Sequence, residues 1–428
     1  MSDACQTIHR HRLPPNRFER GKRIRPGIKR TLAFAVLLFF AARLAGAQDE
    51  TATAQFADGG FFVGPLRSIS AGEIRVADRA APIAAANLMR LDFQGRRREP
   101  ALRASLIQLV NGDRIVAGLT SMSDEAVVAL WKSHPDWPPV RIPSETIAGL
   151  LMAAPSDALE RAHGFAQVFG RRPKSDVVLL LNGDRAAGDL LAFDQANLKL
   201  AQGGKPLQIE TARIRGIAFN SALSSMPAAK KPRIHVTLAD GSQLTGSGVS
   251  RERGGPLRFT TAFGSPLEVP LSAVSSIRFL DGRTTYLSDL APLSARATGF
   301  FGSSERIPLA RDRNVLGGPL VVRGTEYPLG LGTRSQSRIE FDLAGRYRHF
   351  QAIGALDDLA EGKGSVRFIV ERDGSRIFES GLVTGTSAPL AIGPLDISGT
   401  RRLALIVDYG ELADINDWAD WCDAVVIR

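Results

Sequence analysis

Side chains able to do chemistry are few in this chain, and they are scattered. Downstream of residue 47 there are four histidines, His134, His163, His235 and His349, and no two fall at a spacing that would let them share a metal ion. No Gly-x-Ser-x-Gly elbow and no phosphate-cradling glycine loop occurs. Cys5 and Cys422 are the two cysteines, and Cys422, beside Trp421, reads as a small buried apolar residue. Asp357-Asp358, followed by Gly362 and Gly364, offers hard oxygen ligands that suit a structural Ca²⁺, and suits a solvated acidic turn equally well. Two of the four tryptophans sit in the Pro-rich stretch Trp131-Lys132-Ser133-His134-Pro135-Asp136-Trp137-Pro138-Pro139. Exposed indoles there would make a flat platform for a sugar ring or a protein, and buried ones would cover the open end of a barrel. These residue types point to recognition without a required cofactor, and the chain is read as a non-enzyme.

The elements that must position these residues begin after a leader. Residues 1–47 carry a basic stretch, an apolar run of 11 residues at 32–42 and then Ala45-Gly46-Ala47, the pattern of an export signal cleaved between Ala47 and Gln48. The run is shorter than the roughly 20 residues that span a bilayer, so no transmembrane anchor is expected after cleavage. The formal net charge of +10 resides mostly there. The leader holds 10 of the 54 Lys and Arg and 2 of the 44 Asp and Glu, which leaves 44 basic against 42 acidic residues. A nucleic-acid partner is therefore not expected on grounds of charge. Cleavage also removes Cys5, so Cys422 has no partner for an intramolecular disulfide. The destination is a periplasm, a cell surface or the extracellular space.

Between residues 59 and 282 one spacing recurs four times: an aliphatic residue, others five and eight positions on, and Phe or Met ten on. The copies are Ile83, Leu88, Leu91, Phe93; Ile142, Ile147, Leu150, Met152; Ile209, Ile214, Ile217, Phe219; and Val269, Val274, Ile277, Phe279. Apolar stretches ending in Asn111-Gly112-Asp113, Asn182-Gly183-Asp184 and Asp240-Gly241 precede three of them, and Asn-Gly and Asp-Gly favour tight hairpins. About five short strands in some 50 residues close into a small barrel. Barrels are expected at 101–155, 176–220 and 233–282, with a degenerate β repeat at 48–100 and linkers at 156–175 and 221–232, the first with a short helix.

The third copy is similar to an Sm-like barrel through Leu181-Asn182-Gly183, Asp189-Leu190, Phe193-Asp194, Asn197-Leu198 and Ile214-Arg215-Gly216. That resemblance implies RNA contacts at Asn197, Arg215 and Gly216. The equivalent positions of neighbouring copies hold Ala148-Gly149 and Ser275-Ser276, and an exported chain rarely meets RNA. Spacing or assembly is the favoured role of the barrels.

From residue 286 to 428 the chain resembles the NPCBM family of carbohydrate-binding modules along nearly its whole length. The resemblance rests on Tyr286-Leu287-Ser288-Asp289-Leu290, Gly317-Gly318-Pro319-Leu320, Gly330-Leu331-Gly332, Phe341-Asp342-Leu343, Asp357-Asp358, Asp373-Gly374, Val407-Asp408 and 417–424. It implies a galactose-binding-like jelly-roll β-sandwich. The residues agree independently, since Val366, Phe368, Val370 and Leu403, Leu405, Val407 alternate with polar neighbours as half-buried strands do. The family often shows Gly-Val-His-Ala and Asp-His-Ala-Asp-Trp; here these read Gly332-Thr333-Arg334-Ser335 and Asp417-Trp418-Ala419-Asp420-Trp421, so both histidines are replaced. Sugar binding needs an aromatic face and fixed polar groups, for which Trp418, Tyr409, Asp417 and Arg334 are the candidates. Trp421, at the head of an apolar strand, is assigned to the core.

The sequence thus predicts an all-β chain, tandem small β barrels followed by a jelly-roll sandwich, whose partner is a glycan, with galactose among its expected sugars. A structural or assembly protein of the cell envelope is the competing reading, and a glycosidase or its accessory is the third.

Overall fold

The computed structural model describes residues 50–428, apart from 71, 78, 97–103, 124, 156, 171–172, 303–308 and 412. The leader, with the cleavage expected between Ala47 and Gln48, lies outside the described residues, which all belong to one unit, Ala47–Arg428. No helix among the described residues is long and apolar enough to cross a membrane.

Four five-stranded units come first: β1 (Thr51–Phe56), β2 (Phe61–Ser70), β3 (Glu73–Val76), β4 (Ile83–Ala84), β5 (Leu88–Asp92); β6 (Ser105–Leu109), β7 (Arg114–Met122), β8 (Ala126–Leu130), β9 (Val140–Pro143), β10 (Ile147–Leu151); β11 (Asp176–Leu180), β12 (Arg185–Phe193), β13 (Asn197–Gln202), β14 (Lys205–Glu210), β15 (Ile214–Ala218); and β16 (Arg233–Leu238), β17 (Gln243–Ser250), β18 (Leu257–Thr261), β19 (Pro266–Val269), β20 (Val274–Phe279). In each unit a three-residue 3₁₀ turn separates the fourth strand from the fifth, and the fifth pairs back onto the first. The recurring spacing marks this corner. Its first residue ends or sits on the fourth strand, and the residues five and eight on face inward from the fifth, so all twelve side chains at those three positions are buried. The turns named in the sequence adopt one geometry in three units. Gly112, Gly183 and Gly241 have φ of 92–98°, and the Asn111, Asn182 and Asp240 side chains each accept from the N–H two residues on. The first unit is not degenerate: it has all five strands and closes its first hairpin with Gly59 instead, at φ 85°.

The units do not stand in a row. Fifth strands pair across units, β10 with β15 and β5 with β20, so unit two joins unit three and unit one joins unit four. Equivalent residues meet in both seams, Leu150 with Ile217 and Leu91 with Ile277, which is the pattern of a local pseudo-twofold axis. Strands β7 and β17 bring units two and four together through Arg114 and Gln243.

Each seam has its own cover. The expected linker 156–175 contains α1 (Ala158–Phe169), capped by Asp157, whose carboxylate accepts from the Glu160 N–H at 2.8 Å. Its Phe165, Val168 and Phe169 pack on Leu151 and Ala218 of the β10–β15 seam, so it is a packed element and not a loose connection. Glycine lets the helix approach, since a Cβ on Gly216 would lie 2.6 Å from Val168 Cγ2 and 2.7 Å from the Leu150 carbonyl oxygen. The other linker, 221–232, has neither helix nor strand.

The β5–β20 seam is covered by the C-terminal part. After β21 (Thr284–Tyr286) come β22 (Ser294–Ala297), β23 (Ala310–Arg311), β24 (Leu320–Val322), β25 (Thr325–Tyr327), β26 (Gly330–Arg334), β27 (Ser337–Asp342), β28 (His349–Leu356), β29 (Ser365–Arg372), β30 (Ser375–Glu379), β31 (Val383–Thr384), β32 (Leu390–Asp396), β33 (Arg402–Tyr409) and β34 (Trp418–Ile427). One sheet runs β23-β26-β34-β28-β32, with β21 also on β34; the facing sheet runs β22-β27-β33-β29-β30, with β31 also on β29. All pairs are antiparallel, as in a β-sandwich. The alternating residues of β29 and β33 fill the layer between the sheets with Phe341, Phe350 and Trp421. Trp421 stands edge-on to Phe368 at 4.9 Å, and Cys422 is buried on the opposite face of β34 under the β24–β25 hairpin. Asp423 Oδ2 lies 3.3 Å from Arg278 Nη2 and 3.4 Å from Arg90 Nη1, side chains that face each other across the β5–β20 seam. Met89, Leu280, Tyr286, Leu329 and Val425 close the same junction with apolar contacts.

Candidate functional site

Strand pairing decides which candidates can act together. In the β26–β34 register Leu331 lies opposite Trp421 and Arg334 opposite Trp418. Since Leu331, Ala419 and Trp421 point into the sandwich core, the period of two puts Arg334 and Trp418 side by side on the outer face, both half-buried. The two positions where the family pattern carries histidine are therefore cross-strand partners, and here they form an Arg–Trp pair.

Asp417 begins the same strand end but turns inward. Its Oδ1 accepts from the Ser365 N–H at 2.8 Å, and its carbonyl accepts from the Ser335 N–H at 3.2 Å, which ties the Arg334-Ser335 turn to the loop before β34. Oδ2 is buried with no hydrogen-bond donor; the Ser335 hydroxyl faces the carboxylate without reaching bonding geometry. Burial raises the Asp417 pKa to about 6, with Asp414 adding to it and the Ser365 N–H opposing.

Tyr409 ends β33 beside a pair of side chains that periodicity did not single out. Phe300 lies edge-on to Tyr409 at 5.5 Å, and Phe301 edge-on to Phe300 at 5.5 Å. Phe300 is 52% and Phe301 96% exposed, and Ile415 is 63% exposed on the loop before β34. The Tyr409 hydroxyl donates to the Thr298 carbonyl at 3.3 Å and the Phe300 N–H to Asp414 Oδ2 at 2.9 Å, so the aromatic loop is fastened at both ends. Asp408 accepts from Gln336 Nε2 at 2.8 Å. Burial, then the charges of Asp414, Asp408 and Asp417, push the Tyr409 phenol upward. The only sequence signal for this ledge was Gly299-Phe300-Phe301-Gly302, two adjacent phenylalanines between glycines. Chemically the arrangement supplies an exposed apolar ledge, fixed acceptors and one guanidinium.

Asp357 and Asp358 do not fit the Ca²⁺ site expected of them. Asp357 is buried; Oδ1 accepts from the Leu359 N–H at 2.9 Å, and Oδ2 from the Val321 N–H at 3.1 Å and Asn314 Nδ2 at 3.2 Å. Asp358 accepts from the Arg323 and Gly324 N–H groups, both at 2.7 Å. Every oxygen is aimed at by an N–H donor, the setting of an anion that holds the β24–β25 hairpin. Among the described residues no group of three or more His, Cys, Asp or Glu side chains is arranged to hold a metal ion. Asp420, fully buried beside Asp357, has its pKa raised well above the usual range by burial and then by that neighbour, so it keeps its proton and donates it to Asp357.

The upstream candidates are structural. Trp131 is buried in the core of the repeat units, and Trp137, partly buried, is edge-on to it at 5.4 Å and stacks on His134 at 4.0 Å, so the Pro-rich loop packs on that core and is no open platform. Gly216 lies under α1 in the β10–β15 seam, which removes it from any RNA-contacting set with Asn197 and Arg215. His235 is buried, and burial, then Arg278 and Arg114, hold it neutral with a pKa of about 3.

Comparison with known proteins places these features. The chain is 27% identical over 142 residues to the "Putative endo-alpha-N-acetylgalactosaminidase" of Renibacterium salmoninarum, a match covering 33% of this chain and 9% of that protein. It is 32% identical over 117 residues to alpha-1,3-galactosidase B of Akkermansia muciniphila, covering 26% of this chain and 14% of the relative. The chain thus spans about a tenth of the length of these curated relatives. Among solved structures, a CBM51 module of a Clostridium perfringens GH95 protein in complex with methyl-galactose is 27% identical and covers 33% of this chain and 99% of its own, with a TM-score of 0.30. The family model NPCBM/NEW2 domain matches residues 283–427, which begin just ahead of β21 and end with β34, and this segment of the chain is an NPCBM/NEW2 domain.

Proposed function

We propose that the protein is exported and binds glycan, without altering it, through the end of the sandwich that carries Arg334, Tyr409, Asp417 and Trp418 together with Phe300 and Phe301. The observation that carries this reading is the exposed Phe300–Phe301–Tyr409 ledge bordered by fixed carboxylates, because a sugar ring offers CH groups to an aromatic face and hydroxyls to acceptors. Both curated relatives are named for enzymes whose names contain a galactose-type sugar, which supports a galactose-containing ligand. The reading requires no cofactor. A glycan-array screen of the full chain tests it, with Phe301→Ala and Trp418→Ala as controls. Selective binding lost in both variants is expected, and uniform absence of binding by the folded protein refutes it.

The assembly reading retains one observation in its favour. A groove of about 340 Å³ between units two and three is edged by exposed Leu191 and Leu223 and floored by Phe193 and Phe219, the kind of surface a protein partner covers. It does not compete with glycan binding at the sandwich.

A further inference from the structure

We infer that the end of the sandwich opposite the aromatic ledge binds an acidic polysaccharide, a glycan chain bearing carboxylate or sulfate groups, at a site separate from the one proposed above. Strand register gathers arginines there. In one sheet β27 ends at Asp342 opposite Arg402 at the start of β33, and β29 ends at Arg372 opposite Leu403. In the other, His349 opens β28 opposite Asp396 at the end of β32 and Ile427 at the end of β34. The two loops that cross between the sheets here are bonded to each other, the Leu343 N–H to the Arg401 carbonyl at 2.7 Å and the Gly345 N–H to that of Thr400 at 3.0 Å. Arg334, Tyr409 and Trp418 lie at the other ends of their strands. One end therefore carries Arg346, Arg348, Arg372, Arg401, Arg402 and Arg428, all exposed except the half-buried Arg372.

These cations are held in place and left without a counter-ion. The Arg346 and Arg428 guanidinium carbons lie 5.9 and 5.6 Å from the centroid of the buried Tyr347 ring, so both charged heads are braced on an aromatic side chain that does not neutralise them. Arg283 reaches the same spot, its Nη2 donating to the Arg428 carbonyl at 2.8 Å. Among the described residues none of these arginines forms an ion pair. The carboxylates on the same loops are engaged by turn amides: Asp342 accepts from the Ala344 N–H at 2.9 Å, Asp396 from the Ser398 N–H at 2.9 Å, and Asp373 from the Arg401 and Arg402 N–H groups at 3.1 and 2.9 Å. Downstream of residue 47 the chain nearly balances, 44 basic against 42 acidic residues, so the excess here is local. A guanidinium meets carboxylate or sulfate oxygens with two parallel N–H groups, and anions repeated along a sugar chain would engage several arginines at once. Other polyanions fit less well. Base stacking needs an open aromatic face, and Tyr347 is 2% exposed. A bilayer needs apolar side chains to insert, and none of the large exposed hydrophobic residues lies in 342–349, 372–375, 396–402 or 425–428.

The test is calorimetric titration of the full chain at pH 7 with a mannuronate octamer, its methyl-esterified counterpart and a sulfated maltooctaose, in low salt and again at about 0.5 M. Expected is binding of both anionic octamers, none of the ester, and loss of binding at high salt. Each exposed guanidinium contact adds up to about fivefold in affinity, so Arg346→Gln with Arg348→Gln and Arg428→Gln, which keeps side-chain stems on Tyr347, should weaken both by about 10- to 100-fold. Lys199→Gln with Lys205→Gln and Arg213→Gln removes the same charge from exposed positions of unit three and should change nothing. Arg348→Glu alone, at an exposed side chain, should weaken both about fivefold or more, which keeps the test open if the triple variant melts early. Failure of both anionic octamers to bind overturns the inference, as does equal binding of the ester or equal weakening by the unit-three variant. Tighter binding of single-stranded DNA or of phosphatidylglycerol vesicles overturns it too. Binding of one anionic octamer only keeps the site and identifies its anionic group. The ledge is tested separately, since the arginine variants should leave the glycan-array pattern as it is.

Discussion

Asp423 sits where the sandwich meets the repeat units. Its carboxylate is 16% exposed and sits between Arg278, 6% exposed, at 3.3 Å and Arg90 at 3.4 Å. Burial alone would lower the Arg278 pKa, and Asp423, with Tyr286 and Asp92 behind it, more than reverses this, so the guanidinium stays charged inside the junction. Asp423→Asn preserves the shape and removes the charge. Breaking a buried pair costs about 3–5 kcal/mol. Arg90 keeps Asp92 at 2.6 Å and the site retains some solvent, so the lower end applies, about 3 kcal/mol. For a unit of this size that is roughly 3–6 °C in Tm. Differential scanning calorimetry should show that drop together with a split of the transition, as the sandwich and the repeat units cease to melt together. Asp423→Leu with Arg278→Met, which removes both charges, should recover much of the loss. A Tm within about 1 °C of wild type and an undivided transition in Asp423→Asn would refute the claim that this pair couples the two parts.

Other expectations concern the sandwich and the seams. Asp420 has a raised pKa, so the unfolded chain releases this proton from about pH 4 upward while the folded chain keeps it, and the associated stability is present below pH 4 and lost as pH rises through the folded value. Asp420→Asn, whose amide can still donate to Asp357, should therefore raise Tm at pH 7 and change little at pH 4, read by thermal melts across that range. Gly216→Ala should cost about 1–3 kcal/mol by forcing a Cβ into the Leu150 carbonyl and Val168, measured by urea unfolding. Trp131→Ala should cost about 3–5 kcal/mol and leave glycan binding unchanged, whereas Phe301→Ala should do the reverse, with melts and titrations separating the two.

What could be read from the sequence was what the chain decides locally. The interval from Ile142 to Leu150 spans one corner, a fourth strand, a 3₁₀ turn and a fifth strand, so its spacing survives in four copies whatever surrounds them. The seams were not legible. Leu91, Leu150, Ile217 and Ile277 are interchangeable in type, and nothing in a fifth strand says which distant edge it will pair with. The same limit applies to the site. Arg334 and Trp418 stood out one by one as departures from a pattern, but their adjacency arises from the register of β26 on β34. Phe300 and Phe301 lie between strands, where no alternation marks a face. Asp357 looked like a cation ligand because acidity is visible in sequence and the N–H groups that converge on it are not.

The pairing of unit one with four and two with three nests like brackets, and this sets a timetable for synthesis. Strand β15 follows β10 closely enough for the inner bracket to shut as soon as unit three is made. Strand β5 must wait until residue 276 has emerged before it meets β20. At about 5–20 residues per second that wait is on the order of 10–40 s, during which the apolar edge of unit one is uncovered. The outer bracket is also the seam on which the sandwich docks through Asp423, so completion of the repeats comes before the last module can find its seat.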